Sequence, residues 1–164
     1  MTELKKYKIL FVCLGNICRS PAAQGVMESI LAERGMTDWV EVDSAGISSY
    51  HSGELPDQRM RVHARRRGYE LTHHSRQVMS YDFERFDVVI GMDDSNISKL
   101  QQLARTPEEE QKVRRIAEFF RQYTAWDHIP DPYYTGAEGF ETVLDLLQDA
   151  CHTIADKLER EHSV

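Results

Sequence analysis

The sequence predicts a single α/β domain over residues 1–164, with a four-stranded, parallel, twisted sheet and helices on both of its faces. Short apolar runs alternate with amphipathic helical patterns along the chain, which is typical of a parallel sheet with right-handed crossovers. A length of 164 residues suits one domain with a sizeable core. No repeat and no Pro/Gly/Ser-rich linker divides the chain.

The first predicted element is the continuous apolar run Ile9 to Cys13, which indicates a strand buried on both faces of the sheet. A loop of residues 14–19 follows it. Ser20 and Pro21 then suit the cap and the first position of a helix that ends near Gly35. In parallel α/β sheets ligands bind beyond the carboxyl ends of the strands, and Cys13 lies at that end of the first one.

The remaining elements continue the alternation in chain order. They are a short strand at 40–45, a helix at 57–67 that stops at Gly68, a buried strand at 87–91, a helix at 93–103, a poorly alternating fourth strand within 113–119, and a long amphipathic helix from 137 to about 161. Cys151 lies on the apolar face of this last helix, so we expect it to be a core residue.

Charge and composition exclude several classes of function. The formal net charge is −7, which argues against general binding to nucleic acid or to anionic membranes. Arginines cluster at positions 59–67, but without interleaved aromatic residues they are interpreted as a solvated helix face. The apolar run near the N-terminus is too short for a signal peptide or a membrane span. We therefore expect no nucleic-acid partner and no membrane insertion.

The three cysteines, Cys13, Cys18 and Cys151, do not resemble the even, regularly spaced set of a secreted disulfide framework. A reducing compartment is the simpler interpretation, so we expect a cytoplasmic protein. The histidines lack the spacing of metal ligands, and we expect neither a metal nor a cofactor.

The loop after the first strand has the composition of an anion-binding site. A loop that leads into a helix N-terminus can point successive backbone N–H groups inward, and the helix adds partial positive charge. Arg19 adds a planar fork of donors that suits two phosphate oxygens. Gly15 and Asn16 are residue types that tolerate left-handed backbone conformations. The loop therefore suits a phosphate dianion.

The same features favour a reactive Cys13. A thiolate is the nucleophilic form of cysteine, and helix N-termini and arginines stabilise it. Ser20 can add a hydroxyl hydrogen bond to that thiolate. A phosphate cradle with a thiolate at its base indicates attack on phosphorus. Taken alone, Cys13 could equally be a buried strand-end cysteine, and it is the surrounding set of loop residues that favours catalysis.

The stretch Val12–Pro21 closely resembles the signature loop of the low-molecular-weight protein tyrosine phosphatases. Later landmarks occur in the expected order over nearly the whole chain: Asp43 to Gly46, His73 with Arg76 and Gln77, Phe86-Asp87, Met92-Asp93 with Asn96, and Asp131 to Tyr133. The resemblance implies the Rossmann-like fold of that family. It also implies hydrolysis of phosphotyrosine and small aryl phosphates through a cysteinyl-phosphate intermediate.

The resemblance assigns a role to individual residues. It implies that Cys13 is the nucleophile, Arg19 the phosphate clamp and Asp131 the general acid, which later acts as base on water. The phosphate-binding residues would be Leu14, Gly15, Asn16, Ile17, Cys18 and Ser20. A supporting network of Asn16, Ser44 and His73 would shape the loop, and Asp93 would help to place it near Arg19.

Aromatic residues around the pocket bear on the substrate class. Tyr50, Tyr133 and Tyr134 match positions where relatives place rings around the substrate, and ring contacts favour an aryl phosphate. Related protein-arginine phosphatases tend to carry threonine at the position of Ile17, so this isoleucine favours phosphotyrosine. A protein-arginine phosphatase nevertheless remains the alternative.

The resemblance leaves further hypotheses open. Cys18 would trap oxidised Cys13 as a reversible disulfide, which makes the enzyme redox-regulated. An arsenate reductase on the same fold would need more cysteines than the chain has between Cys18 and Cys151. A non-catalytic phosphate-binding or redox-sensing module is a further alternative, but the presence of both Cys13 and Asp131 argues against it, since binding alone requires neither. The expected partners are phosphotyrosine-containing proteins or peptides, with inorganic phosphate as product, and a monomer or weak dimer is expected.

Overall fold

A computed structural model describes residues 5–162 of the chain. The strands are β1 (Tyr7–Cys13), β2 (Val40–Gly46), β3 (Val88–Gly91) and β4 (Val113–Arg115). The helices are α1 (Arg19–Glu33), α2 (Gln58–Arg66), α3 (Asp82–Arg85), α4 (Asp94–Leu103), α5 (Pro107–Lys112) and α6 (Ala137–His162). Two 3₁₀ turns lie at Ile116–Phe119 and Pro132–Tyr134.

The four strands form one parallel sheet in the order β2-β1-β3-β4, which confirms the predicted fold class. The apolar run of β1 lies in the interior of this sheet. Its last residue, Cys13, pairs with Gly46 of β2, and Val12 pairs with Gly91 of β3. The carboxyl ends of the three strands therefore meet at one edge, where the loops after them can converge on a ligand.

Helices cover both faces of the sheet. On one face Ile9 and Phe11 pack with apolar residues of α1, α2 and α6 in the larger core. On the other face Leu10 and Val12 pack with residues of α3 and α4 in a smaller core. This double coverage explains why β1 is apolar at every position from 9 to 13, since both of its faces are buried.

Several element boundaries differ from the sequence-based expectation. Helix α1 begins at Arg19 with Cys18 at the cap position, so the prediction that Ser20 caps this helix was wrong. Ser20 is the second helical residue, and its buried hydroxyl lies within hydrogen-bonding distance of Cys13 and Asn16. The fourth strand ends at Arg115, and the residues after it form a 3₁₀ turn.

Cys151 is fully buried in the core, as expected, and burial raises the pKa of its thiol. The predicted solvated face of arginines describes Arg65, whose side chain is 57% exposed and pairs with Glu70. It was wrong for Arg67, just beyond the helix, whose side chain is 21% exposed and pairs with Glu141. Across the part of the chain that the structure describes, no helix is both long and apolar enough to cross a bilayer.

Candidate active site

A cavity of about 400 Å³ opens at the carboxyl edge of the sheet. The residues that line it come from the loops after β1 and β2 and from the segment before α6. They are Cys13, Leu14, Gly15, Ile17, Cys18, Arg19, Ser48, Tyr50, His51, Asp131, Tyr133 and Tyr134. The cavity thus brings together the cysteine, arginine and aspartate that the sequence singled out, with all three candidate tyrosines.

The loop of residues 14–18 curls through a single left-handed residue. Asn16 has φ +57°, a conformation that asparagine tolerates better than most residues. Gly15 does not share it, so the expectation that Gly15 supplies a left-handed conformation was wrong. Its lack of a side chain serves a close approach instead, because a Cβ there would lie 3.1 Å from Cδ2 of His51.

The side chain of Asn16 is the hub of a buried polar network. Its Nδ2 donates to the hydroxyls of Ser20 (2.8 Å) and Ser44 (3.0 Å). Its Oδ1 accepts from the backbone N–H of Arg76 and from Nε2 of His73, both at 3.0 Å. Burial lowers the pKa of His73 against the opposing effect of Asp43, whose Oδ1 lies 3.4 Å from Nδ1 on the other side of the ring. Both amide hydrogens and both oxygen lone pairs of Asn16 are therefore used.

Cys13 lies at the base of the cavity as the last residue of β1. Its Sγ is 3.0 Å from the hydroxyl oxygen of Ser20. Because Asn16 already donates to that oxygen, the hydroxyl hydrogen of Ser20 can point at Sγ or at the carbonyl of Ala45, 3.3 Å away. Donation to sulfur stabilises a thiolate at this place.

Arg19 is 3% exposed and its guanidinium is held from several sides. Nη1 donates to Oδ2 of Asp93 at 2.6 Å and to the carbonyl of Ile129 at 3.0 Å. Nη2 lies 3.8 Å from Oδ2 of Asp131. Burial opposes the charge of Arg19, but the negative charges of Cys13, Asp93 and Asp131 outweigh it and raise the pKa of the guanidinium. The arginine is therefore a permanent, pre-oriented cation.

Asp131 lies in a loop between two prolines, Pro130 and Pro132, and lines the cavity. Its Oδ1 accepts the backbone N–H of Tyr133 at 3.0 Å, and its side chain is 41% exposed. The N–H of Ile129, two residues earlier, donates to the carbonyl of Met92 at 2.8 Å. That bond fastens the loop to the residue after β3.

Aromatic rings form the rim of the cavity. Tyr133 and Tyr134 meet edge to face with centroids 4.9 Å apart, and Tyr50 meets His51 in the same way at 4.8 Å. The sequence analysis missed His51, whose Nδ1 lies 3.0 Å from Oε2 of Glu54. Its position next to Tyr50 in a loop was the signal that could have found it.

Sequence reasoning also missed Ser48 and Gly46. The backbone N–H of Ser48 donates to the carbonyl of Leu14 at 2.9 Å. A Cβ on Gly46 would lie 3.0 Å from three backbone atoms of Leu14, Gly15 and Asn16. The glycine that ends β2 therefore leaves room for the curled loop, and the end of a strand is the sequence signal for such a role.

Cys18 is buried in the loop, and burial raises the pKa of its thiol, with further contributions from Asp57 and Cys13. Cys18 is therefore a neutral thiol near neutral pH. Within residues 5–162 no three histidine, cysteine, aspartate or glutamate side chains group closely enough to hold a metal ion.

Comparison with known proteins gives consistent matches over nearly the whole chain. The family model described as low molecular weight phosphotyrosine protein phosphatase matches residues 8–164. A low molecular weight protein-tyrosine-phosphatase of Streptomyces coelicolor is 38% identical over 145 residues, which cover 88% of each chain.

Among solved structures, a protein tyrosine phosphatase from Entamoeba histolytica with Hepes in its active site superimposes with a TM-score of 0.92. It is 41% identical, and the match covers 96% of this chain and 99% of the other. A Drosophila arginine phosphatase superimposes with a TM-score of 0.85 at 30% identity, with 92% and 97% of the two chains covered.

Proposed function

The chain belongs to the low molecular weight phosphotyrosine protein phosphatase family and is a hydrolase of phosphate monoesters, and we propose that Cys13, Arg19 and Asp131 carry its reaction. The observation that supports this assignment is their convergence on one cavity from two segments that are remote along the chain, the loop of Cys13 and Arg19 and the loop of Asp131. A nucleophile, a fixed cation and an exposed carboxyl group around one space are what transfer of a phosphoryl group from an aryl ester requires.

In the first step the thiolate of Cys13 attacks phosphorus. The S–P bond forms while the bond from phosphorus to the phenolic oxygen breaks. The carboxylic acid of Asp131 gives its proton to that oxygen, because an unprotonated phenolate leaves poorly. Arg19 and the backbone N–H groups of residues 14–18 hold the non-bridging oxygens on which negative charge is concentrated.

In the second step a water molecule attacks the cysteinyl phosphate. The carboxylate of Asp131 takes a proton from this water as the new P–O bond forms and the S–P bond breaks. Inorganic phosphate leaves and Cys13 returns to its thiolate, which the hydroxyl of Ser20 stabilises from 3.0 Å. The two steps return every group of the enzyme to its starting state.

The cavity walls favour phosphotyrosine as substrate. Tyr50, Tyr133 and Tyr134 surround the mouth with aromatic edges and faces, and Ile17 gives the loop an apolar side chain. Each ring contact adds about 0.5–1.5 kcal/mol beyond area burial. Phosphoarginine is the second candidate, because a solved arginine phosphatase shares the fold at 30% identity.

Two rival functions have weaker support. An arsenate reductase needs further cysteines, and none occurs between Cys18 and Cys151. A phosphate or redox sensor without activity would not require Asp131 beside Arg19. For the enzyme we propose phosphotyrosine-containing proteins as substrates, the cytoplasm as its compartment, one domain over residues 1–164, and a monomeric or weakly dimeric state.

We also propose that the enzyme is redox-regulated. Peroxide would convert the Cys13 thiolate to a sulfenic acid, and the Cys18 thiol would then displace hydroxide to form a disulfide, with water as product. Peptide mapping by mass spectrometry after peroxide treatment should find a Cys13–Cys18 link, with activity restored by added thiol. Overoxidised Cys13 with no such link would contradict this proposal.

The central test compares a phosphotyrosine peptide with a phosphoarginine peptide in metal-free buffer with reductant. We expect turnover selective for phosphotyrosine, no turnover by Cys13→Ser and a loss of about 10²–10⁴-fold in Asp131→Ala. Asp127→Ala is the matched control, because this exposed carboxylate pairs with His128 and does not line the cavity. Preference for phosphoarginine would overturn the substrate, and full activity of Cys13→Ser would overturn the mechanism.

A further inference from the structure

We infer that Arg59 is a positioning residue that holds the acid loop, residues 129–134, against the phosphate-binding loop, residues 13–19. This inference rests on the proposed role of Asp131 as general acid. Arg59 belongs to α2, in the arginine-rich segment that composition alone interprets as a solvated surface. Three sets of contacts distinguish Arg59 from the other arginines of this segment.

The first set ties Arg59 to Asp57. The guanidinium meets both carboxylate oxygens, with Nε 3.1 Å from Oδ1 and Nη2 2.9 Å from Oδ2. Asp57 also accepts the backbone N–H of Arg59 at 2.9 Å, as the cap of α2. A two-point contact of this kind fixes the plane of the guanidinium as well as its place.

The second set ties Asp57 to the phosphate-binding loop. The backbone N–H of Asp57 donates to the carbonyl of Ile17 at 2.7 Å. Ile17 lies in the curled segment that ends at Arg19. This bond fixes the start of α2 relative to the phosphate-binding loop. The guanidinium of Arg59, held by Asp57, is thereby fixed relative to that loop as well.

The third set ties Arg59 to the acid loop. Its guanidinium carbon lies 5.3 Å from the centroid of the Tyr133 ring and 5.0 Å from that of Phe140 in α6. Both distances are within the range of attraction between a cation and an aromatic ring. The backbone N–H of Tyr133 in turn donates to Oδ1 of Asp131 at 3.0 Å. The contacts thus run without interruption from the cradle to the acid.

The position of the acid loop depends on the contact with Arg59 because few other interactions hold its central residues. Asp131 is 41% exposed and Tyr134 is 91% exposed, so burial contributes little to fixing their positions. The bonds of Ile129 fasten the start of the loop, and the bond from the N–H of Thr135 to the carbonyl of Pro132 closes its end. Arg59 contacts the ring between these two points, next to the acid itself.

A residue that acts by placing a proton donor leaves a recognisable kinetic pattern. Substrates whose phenol is a good leaving group need little protonation, and those whose phenol is strongly basic need it most. Loss of Arg59 should therefore cost little for the first class and much for the second. A residue that merely contacts the substrate would affect both classes alike.

The test measures kcat/KM over a series of aryl phosphates of rising phenol basicity for wild type, Arg59→Met and Arg59→Lys. We expect Arg59→Met to lose about tenfold at the basic end and less than about twofold at the acidic end. Arg59→Lys keeps the cation but not the two-point contact, so it should recover part of the loss. Arg65→Met is the matched control, because Arg65 lies on the same helix and pairs with Glu70 away from the cavity.

The same series in an Asp131→Ala background separates this inference from the proposed function. With the acid removed, Arg59→Met should have no further effect, since coupled residues do not act additively. Tyr133→Leu should steepen the dependence on leaving group as Arg59→Met does, which gives a second route if Arg59→Met folds poorly. A uniform loss over the series, no loss, or an undiminished loss in Asp131→Ala would overturn the role of Arg59. A series unaffected by Asp131→Ala alone would instead overturn the acid assignment.

Discussion

The phosphate-binding loop, residues 13–19, and the acid loop, residues 129–134, face each other across one cavity but are built in opposite ways. In the first, Cys13 and Arg19 are each 3% exposed and Asn16 is fully buried. In the second, Asp131, Tyr133 and Tyr134 are all at least 38% exposed. The four hydrogen bonds of the Asn16 amide fix the first loop, whereas the second is held by backbone bonds near its ends, by the buried Pro132, and by contacts of Asp131 with Arg19 and of Tyr133 with Arg59.

The difference fits what the proposed mechanism requires of each loop. Backbone donors stabilise a phosphoryl group well only if they are already aimed at its oxygens, so a phosphate-binding loop should not reorganise during the reaction. In the same mechanism Asp131 would have to reach the phenolic oxygens of differently shaped substrates and exchange its proton with water. The proposed roles thus place rigidity where charge would be bound and solvent access where a proton would be delivered.

The largest effect is expected from Asn16→Ala, which removes the hub of the rigid loop. Two buried hydroxyls, of Ser20 and Ser44, and two partly buried N–H groups, of His73 and Arg76, would each lose a hydrogen bond, at about 1–3 kcal/mol for each group left unsatisfied. Alanine would also be strained at φ +57°. We expect kcat/KM to fall about 100-fold and the free energy of unfolding by about 3 kcal/mol or more, measured by steady-state kinetics and denaturant titration.

Asn16→Gly is the control for this substitution. Glycine accepts the left-handed conformation, so the difference between the two variants isolates backbone strain at about 1–2 kcal/mol. Equal stability of Asn16→Ala and wild type would mean that the amide network does not hold the loop.

A smaller effect is expected from a glycine-to-alanine change beside the phosphate-binding loop, and none from the same change beside the acid loop. In Gly46→Ala the new Cβ would meet three backbone atoms of the phosphate-binding loop at 3.0 Å. Overpacking of this kind costs about 1–3 kcal/mol, and the displaced loop should bind inorganic phosphate about tenfold more weakly. Gly136→Ala, just after the acid loop, meets nothing within 4 Å and should leave phosphate inhibition unchanged.

Product-inhibition assays with inorganic phosphate would measure both variants. If inorganic phosphate inhibits Gly46→Ala as strongly as it inhibits the wild type, the phosphate-binding loop can accommodate an added methyl group without losing its geometry. The contrast in rigidity between the two loops would then be lost.

These effects show which parts of the molecule could be predicted from sequence. The buried strands were indicated by continuous apolar runs and the long helices by apolar residues at helical spacing, and a loop between a buried strand and a helix already suggested the cradle of Cys13 and Arg19. Helices α3 and α5 have four and six residues, too few to establish a period. Asp131 was found by resemblance alone, since an Asp-Pro pair has no distinctive local chemistry.

Contacts between segments that are remote along the chain could not be predicted from the sequence, for a physical reason. His51, Gly46 and Arg59 act through neighbours that are distant along the chain, and nothing in their local pattern records those neighbours. Ser20 shows the converse error. A serine before proline fits a helix cap locally, yet its hydroxyl is used by Asn16 and Cys13 instead.

The smallest effect concerns the link between the two loops and depends on pH. The carboxylate of Asp57 is partly buried, which opposes its charge, but its bonds with Arg59 outweigh this and lower the pKa of Asp57. A carboxyl group with a lowered folded-state pKa contributes stability above its unfolded pKa of about 3.9 and loses it as pH falls through the folded value.

We therefore expect Asp57→Asn to lower the free energy of unfolding by about 0.5–1 kcal/mol at pH 7, a modest value because the partner is solvent-exposed. Asparagine retains the capping ability, so the loss reports on the charge. Denaturant titrations at a series of pH values should show the two proteins converge toward pH 3. A difference that stays constant with pH would assign the loss to packing.

The bond from Arg19 to the carbonyl of Ile129 joins positions 110 residues apart. During synthesis Cys13 and the loop after it would emerge long before the segment that contacts Arg19, and α6, which packs on α1, would emerge later still. Contacts of such long range are slow to form because a large loop must close first. Phosphatase activity should therefore appear late in folding, after the segment of Ile129 has joined the loop that holds Arg19.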